Sequence, residues 1–109
     1  MFVILRKLIQ MLDKKEKYTE KQIVISQYGN ALGHPVRVAI LQQLLKQEHC
    51  YHGDMASVLP IANSTLSQHL NVLKDSGLIK GEINLPKTKY CINRTNWNKA
   101  KVLLMDFFE

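Results

Sequence analysis

Apolar residues recur at helical intervals along most of the chain, and the runs are separated by charged or Gly/Pro-containing breaks. Leu5, Leu8, Ile9 and Leu12 form one stripe, which predicts a short amphipathic helix near the N-terminus. The charged run Asp13-Lys14-Lys15-Glu16-Lys17 reads as a solvated connection, after which Thr19 is placed to cap a second helix over residues 19–32. Gly33-His34-Pro35 interrupts that helix. Pro35 then opens a third, over residues 35–47, because the N–H that proline lacks has no helical partner at that position. Val38, Leu41, Leu44 and Leu45 assign one face of this helix to the core, and Arg37 falls in its first turn.

The periodicity changes after residue 47. His49-Cys50-Tyr51 predicts a brief strand, and residues 53–59 a small helix. Leu59-Pro60-Ile61 makes a tight turn into a helix over residues 62–76, which Gly77 stops. Two helices joined by so short a turn predict a helix-turn-helix unit. Residues 80–83 and 88–92, joined by the loop Asn84-Leu85-Pro86-Lys87, predict a hairpin with a basic tip, in other words a wing. Asn93 or Thr95 can cap a last helix carrying Trp97, Ala100, Leu103, Leu104, Phe107 and Phe108. The predicted fold is mainly α with a small β-hairpin: a winged helix-turn-helix dimerised by its N- and C-terminal helices. Residues 1–109 read as one DNA-binding domain, with an N-terminal helix and connection at 1–18, the winged-helix core at 19–93 and a dimerisation helix at 94–109.

The helix at 62–76 carries the most informative pattern. Leu70 and Leu73 lie within about 40° of Leu66 at 100° per residue, so the three define its buried side. Ser64, Gln68, Asn71 and Asp75 point the other way, flanked by Asn63, Thr65 and Ser67. Short hydrogen-bonding side chains near the N-terminus of such a helix suit the edges of bases in the major groove. Gln68 can pair with adenine through two bonds, while Ser64, Thr65 and Ser67 can reach bases or phosphates. Asn63, Ser64, Thr65, Ser67, Gln68 and Asn71, with Lys87 and Lys89 of the wing, are the candidate DNA contacts. A solvated polar face is the plainer reading of one such helix taken alone, but the turn and the wing beside it favour DNA. His69 falls about 60° from the buried axis, a boundary position.

Charge points the same way. Lys and Arg number 15 against 9 Asp and Glu, a net charge of +6 in 109 residues, which favours a polyanionic partner. No apolar run approaches the length of a membrane span, and Arg6, Lys7 and Gln10 interrupt the first apolar stretch, so the chain is expected in the cytoplasm and off the membrane. There is no glycine-rich phosphate loop, no evident pair of catalytic carboxylates and no nucleophile–base spacing, so an enzyme is not expected.

The segments Ala31-Leu32-Gly33-His34-Pro35-Val36-Arg37-Val38-Ala39-Ile40-Leu41 and Asn63-Ser64-Thr65-Leu66-Ser67-Gln68-His69-Leu70-Asn71-Val72-Leu73-Lys74-Asp75-Ser76-Gly77-Leu78-Ile79 resemble the ArsR family of bacterial winged-helix repressors over residues 31–93. The resemblance implies a homodimer on double-stranded DNA, a recognition helix at 62–76 with Asn63, Ser64, Ser67 and Gln68 facing the DNA, and release by an inducer such as a metal ion, a metalloid or a thiol-reactive species. Two departures stand out. Ala62 occupies the usual serine cap, which costs that helix start roughly 1 kcal/mol. The family's metal-binding patterns, a close cysteine pair at the start of the small helix or Asp and His ligands on the last helix, are not intact, for the first region reads His49-Cys50-Tyr51-His52-Gly53-Asp54 and the last helix has no histidine and offers only Asp106 and Glu109.

Cys50 and Cys91 are the only cysteines, and with His52 they form the one candidate sensor constellation. Pairing of the strand at 49–51 with the returning wing strand brings the two thiols together. They can then hold a thiophilic metal ion with His52, or form a regulatory disulfide that tilts the wing and lowers operator affinity. They can equally be small buried core residues. Two other functions compete: a DNA-binding regulator governed by a protein partner, and a winged-helix adaptor docking proteins through Phe107-Phe108. The polar strip on the helix at 62–76 counts against the adaptor.

Overall fold

The computed structural model describes residues 4–6, 8, 17–51, 55–84 and 87–109. Residues 4–6 and 8 are helical, whereas Ile9 and Leu12 of the predicted N-terminal stripe lie outside the described residues. Helix α1 (Glu20–Ala31) starts at a reciprocal cap. Thr19 Oγ1 accepts from the Gln22 amide at 3.1 Å and Gln22 Oε1 accepts from the Thr19 amide at 2.9 Å, so two amides with no helical partner are satisfied at once. Helix α2 (Pro35–Lys46) begins at the predicted proline, and its cap is His34, whose Nδ1 accepts from the Val36 amide at 3.1 Å.

Past α2, Glu48 (φ 57°) and His49 (φ 77°) occupy the left-handed region, and the His49 amide donates to the Leu44 carbonyl at 2.8 Å. The chain thereby turns sharply into strand β1 (Cys50–Tyr51). A 3-10 turn (Met55–Ser57) leads on to helix α3 (Asn63–Asp75). The small helix predicted over 53–59 is reduced to that turn among the described residues. Pro60 disfavours a helical conformation at Leu59, and too few residues remain before it to extend the turn.

Strands β2 (Ile79–Asn84) and β3 (Lys87–Ile92) form the wing, from Ile79 opposite Ile92 to Asn84 opposite Lys87. Strand β1 adds antiparallel to the far side of β3, giving the sheet order β1-β3-β2. Helix α4 (Arg94–Phe108) is capped by Asn93, whose Oδ1 accepts from the Asn96 amide at 3.2 Å.

The core lies where α2, α3 and the base of the sheet meet, and Ile40, Leu44, Leu73, Leu78 and Ile92 are its most deeply buried large side chains. Complete burial of each contributes about 1.5–3 kcal/mol. The predicted face of α2 needs correcting: Leu41 and Leu44 are buried, but Val38 and Leu45 are 37% and 36% exposed and Ile40 takes their place. Ile40, Leu41 and Leu44 span about 100° of the helix, an arc rotated away from Val38 and Leu45. That rotation lets one helix face both α3 and strands β1 and β3.

Gly77 (φ +84°) ends α3 as predicted. Its carbonyl accepts from Asn96 Nδ2 at 2.9 Å, which fixes the end of α3 against the start of α4. Helix α4 closes on α1, where Lys21 Nζ lies 2.7 Å from Asp106 Oδ2. That hydrogen bond and the lysine's charge hold the Asp106 carboxyl below its ordinary pKa. The far side of α4 is uncovered: Val102, Met105 and Phe108 share a face and are exposed, Phe108 by 77%, whereas Phe107 is exposed on the side beside α1.

Candidate nucleic-acid interface

Helix α3 separates its residues as its spacing predicts. Leu66, Leu70 and Leu73 are buried in the core, while Asn63, Ser64, Thr65, Ser67, Gln68 and Asn71 are all exposed. The helix therefore presents a continuous face of short amides and hydroxyls that the fold does not use for packing. At its start Ala62 makes no side-chain cap bond, so the first-turn amides keep their donor capacity beside Asn63, Ser64 and Thr65. At its end Ser76 Oγ donates to the Leu73 carbonyl at 2.7 Å and accepts from the Leu78 amide at 3.3 Å, which ties the helix to β2.

Sequence reasoning placed Arg37 in the first turn of α2 without giving it a task. In the structure it is the post on which α3 is oriented. Its Nε donates to the Ala31 carbonyl at 2.9 Å and its Nη2 to the Asn30 carbonyl at 2.8 Å, satisfying the last carbonyls of α1. Its Nη1 lies 3.2 Å from His69 Nδ1 on α3. The ring of His34 packs at 44° against that of His69, centroids 4.3 Å apart. Burial first, and then the proximity of His34 and Arg37, lower the pKa of His69 below the ordinary imidazole value. The signal available in the sequence was Arg37 six and seven residues past Ala31 and Asn30, across a Gly-His-Pro break that turns α2 back over the end of α1.

The wing stands beside this helix. Lys87 opens β3 opposite Asn84 at the wing tip, Lys89 sits half-buried farther along β3 with an interaction within the chain, and Lys80 is exposed on β2. At the base of the wing Cys50 faces Cys91 directly, with Cα atoms 4.0 Å apart, and the two sulfurs form a disulfide. The structure thus brings together two of the three residues of the predicted sensor constellation, and His52 lies outside the described residues. Sulfurs bonded to each other offer no thiolate, so in this state the pair does not fit a metal ion. Among the described residues no group of three or more His, Cys, Asp or Glu side chains is placed to hold one.

A model of a helix-turn-helix domain family matches residues 32–82, from the end of α1 through most of β2. The HTH-type transcriptional repressor SmtB of Mycobacterium tuberculosis is 40% identical over 52 residues, a match spanning 48% of this chain and 38% of that protein. The HTH-type transcriptional regulator CmtR, of Mycobacterium bovis and Mycobacterium tuberculosis, is 31% identical over 80 residues, 73% of this chain and 67% of that protein. The chain belongs to the ArsR family of transcriptional regulators. An ArsR-like transcriptional regulator from Rhodococcus sp. RHA1 superposes with a TM-score of 0.63 at 22% identity, covering 78% of this chain and 77% of the other. A second ArsR family structure superposes with a TM-score of 0.62 at 23% identity over 83% of this chain and 89% of its own. The winged-helix fold of the ArsR family is thus present here.

Proposed function

We propose that this chain is a sequence-specific DNA-binding transcriptional regulator of the cytoplasm, a repressor that an inducer releases from its operator, and not an enzyme. The observation that carries this reading is the face of α3, where six adjacent polar side chains are exposed while the leucines between them are buried. Asn63, Ser64, Thr65, Ser67, Gln68 and Asn71 enter the major groove. Lys87 and Lys89 of the wing, with Lys80, contact the flanking phosphates.

The working form is a homodimer. Val102, Met105 and Phe108 leave an apolar strip on α4, and a second copy covers it, so that two α3 helices meet successive turns of one duplex. As a disulfide, the Cys50–Cys91 pair does not favour a metal ion as inducer. No described helix is long and apolar enough to cross a membrane, and the net charge of +6 suits a nucleic-acid partner.

The test is to select duplexes from a random-sequence pool with the full chain and to titrate the winning duplex at rising salt. Three lysines per protomer, six phosphates per dimer, predict a loss of roughly a thousandfold in affinity between 50 and 200 mM salt. Failure to enrich any duplex would refute the assignment.

A further inference from the structure

Strand β1 is only two residues long, yet it connects two parts of the DNA-facing surface. On one side it pairs with β3, the return strand of the wing. In the chain direction it runs toward the turn at Met55–Ser57 and so to α3. Cys50 and Cys91 are opposed at the centre of this junction, next to the Ile92 amide donating to the His49 carbonyl at 2.7 Å. In an antiparallel ladder the pair beside such a bonded pair has its side chains closest together, which places both sulfurs within bonding reach. Cys91 is 3% exposed, whereas Cys50 is half-buried, which makes Cys50 the more accessible residue of the pair.

We propose that Cys50 and Cys91 are a reversible thiol–disulfide switch that sets operator affinity by locking the wing to the helix-turn-helix unit. The proposal rests on the DNA-binding reading above and adds its regulation. A hydroperoxide is the oxidant. The Cys50 thiolate attacks the peroxide oxygen and becomes a sulfenic acid as water or alcohol leaves. The Cys91 thiolate then attacks the Cys50 sulfur, forming the S–S bond and expelling the hydroxide, which takes up a proton as water. Two electrons pass from the thiols to the peroxide. Reduction reverses this: one thiolate of an external dithiol attacks the Cys50 sulfur and Cys91 leaves as a thiolate, then the dithiol's second thiolate attacks its own sulfur in the mixed disulfide, Cys50 leaves as a thiolate, both cysteines are protonated and the dithiol ends as its own disulfide.

The sign follows from what the cross-linked chain looks like. The disulfide coexists with unbroken β1–β3 and β2–β3 ladders, so it does not displace the wing. It joins wing and helix-turn-helix into one preorganised surface, and reduction leaves the contact to a two-residue ladder. The oxidised chain is therefore the tight binder, opposite to a disulfide that tilts the wing out of place. Ordering a loosened wing on DNA costs the reduced form about fivefold in affinity or more.

The experiment equilibrates the full chain with tert-butyl hydroperoxide or with dithiothreitol, counts free thiols by alkylation and mass, and measures affinity for the selected duplex in each state. The switch predicts no free thiol and tight binding after peroxide, two free thiols and weaker binding after dithiothreitol, and a Cys50→Ser variant whose affinity is the same in both. That variant changes the more exposed cysteine and leaves the buried Cys91 in place, and a Cys50→Ala variant checks that the added hydroxyl is not the cause. Two free thiols after peroxide overturn the proposal, as does equal affinity in the two states of the parent. Absence of binding in both states overturns it together with the DNA-binding reading, whereas equal, tight binding in both states removes the switch alone.

Discussion

The Arg37 guanidinium lies 3.2 Å from Nδ1 of His69, so the end of α1 and the middle of α3 are held by one side chain. Arginine only donates hydrogen bonds, which makes His69 Nδ1 the acceptor and places the ring proton on Nε2. The orientation of the DNA-facing helix thus depends on a neutral histidine.

Stability should therefore depend on pH through His69. Its folded pKa is lowered, so the unfolded chain takes up the proton more readily. The stabilisation from neutral His69 is complete above the unfolded value of about 6.5 and is lost as pH falls through it toward the lower folded value. Urea midpoints measured from pH 7.5 to pH 5 should fall, and the fall should be shallower in His69→Gln. Equal slopes for parent and variant would remove His69 as the cause.

Arg37→Met keeps much of the aliphatic stem but removes all three polar contacts. Loss of two charge-assisted bonds to the carbonyls of Asn30 and Ala31, with the contact to His69, should cost about 1–3 kcal/mol in urea unfolding. A variant as stable as the parent would mean that water replaces the guanidinium without loss.

Gly77→Ala tests the joint between α3 and α4. At φ +84° a side chain costs about 1–2 kcal/mol. The new Cβ would also come within 2.8 Å of Asn96 Nδ2, so the amide that fixes this turn must move. The expected result is a lower urea midpoint with an unchanged slope; no shift would contradict the backbone assignment.

Much of this was legible in the sequence because periodicity and end signals agreed. Thr19 and Pro35 started helices where they were expected to, Gly77 stopped one, and the leucines of α3 sorted from its polar residues by spacing alone. The face of α2 was misjudged because Val38 and Ile40 are equally apolar. The partners of that helix on two sides, α3 and the sheet, decide which is buried, and no local pattern records them. Arg37 escaped notice for a related reason, since its partners belong to α1 and α3 and meet only after the chain folds. The approach of Cys50 to Cys91 followed from strand pairing, but the bond between them depends on register, and a shift of one residue would have turned the two side chains to opposite faces.

The exposed apolar strip of α4 predicts an oligomer that depends on its last turn. Sedimentation velocity should show a dimer for the parent and a monomer for Met105→Ser, Phe108→Ser, with the same helical content. A double variant that remains dimeric would move the interface elsewhere.

The most direct test of the account is the affinity of Gln68→Ala for the duplex selected by the parent, compared with its affinity for unrelated DNA. Gln68 is exposed in the middle of the polar face of α3, so its truncation leaves the core intact. The account predicts a loss of about 1–3 kcal/mol on the selected duplex and almost none on unrelated DNA. Equal binding of parent and variant to the selected duplex would contradict the assignment of α3 as the helix that reads the operator.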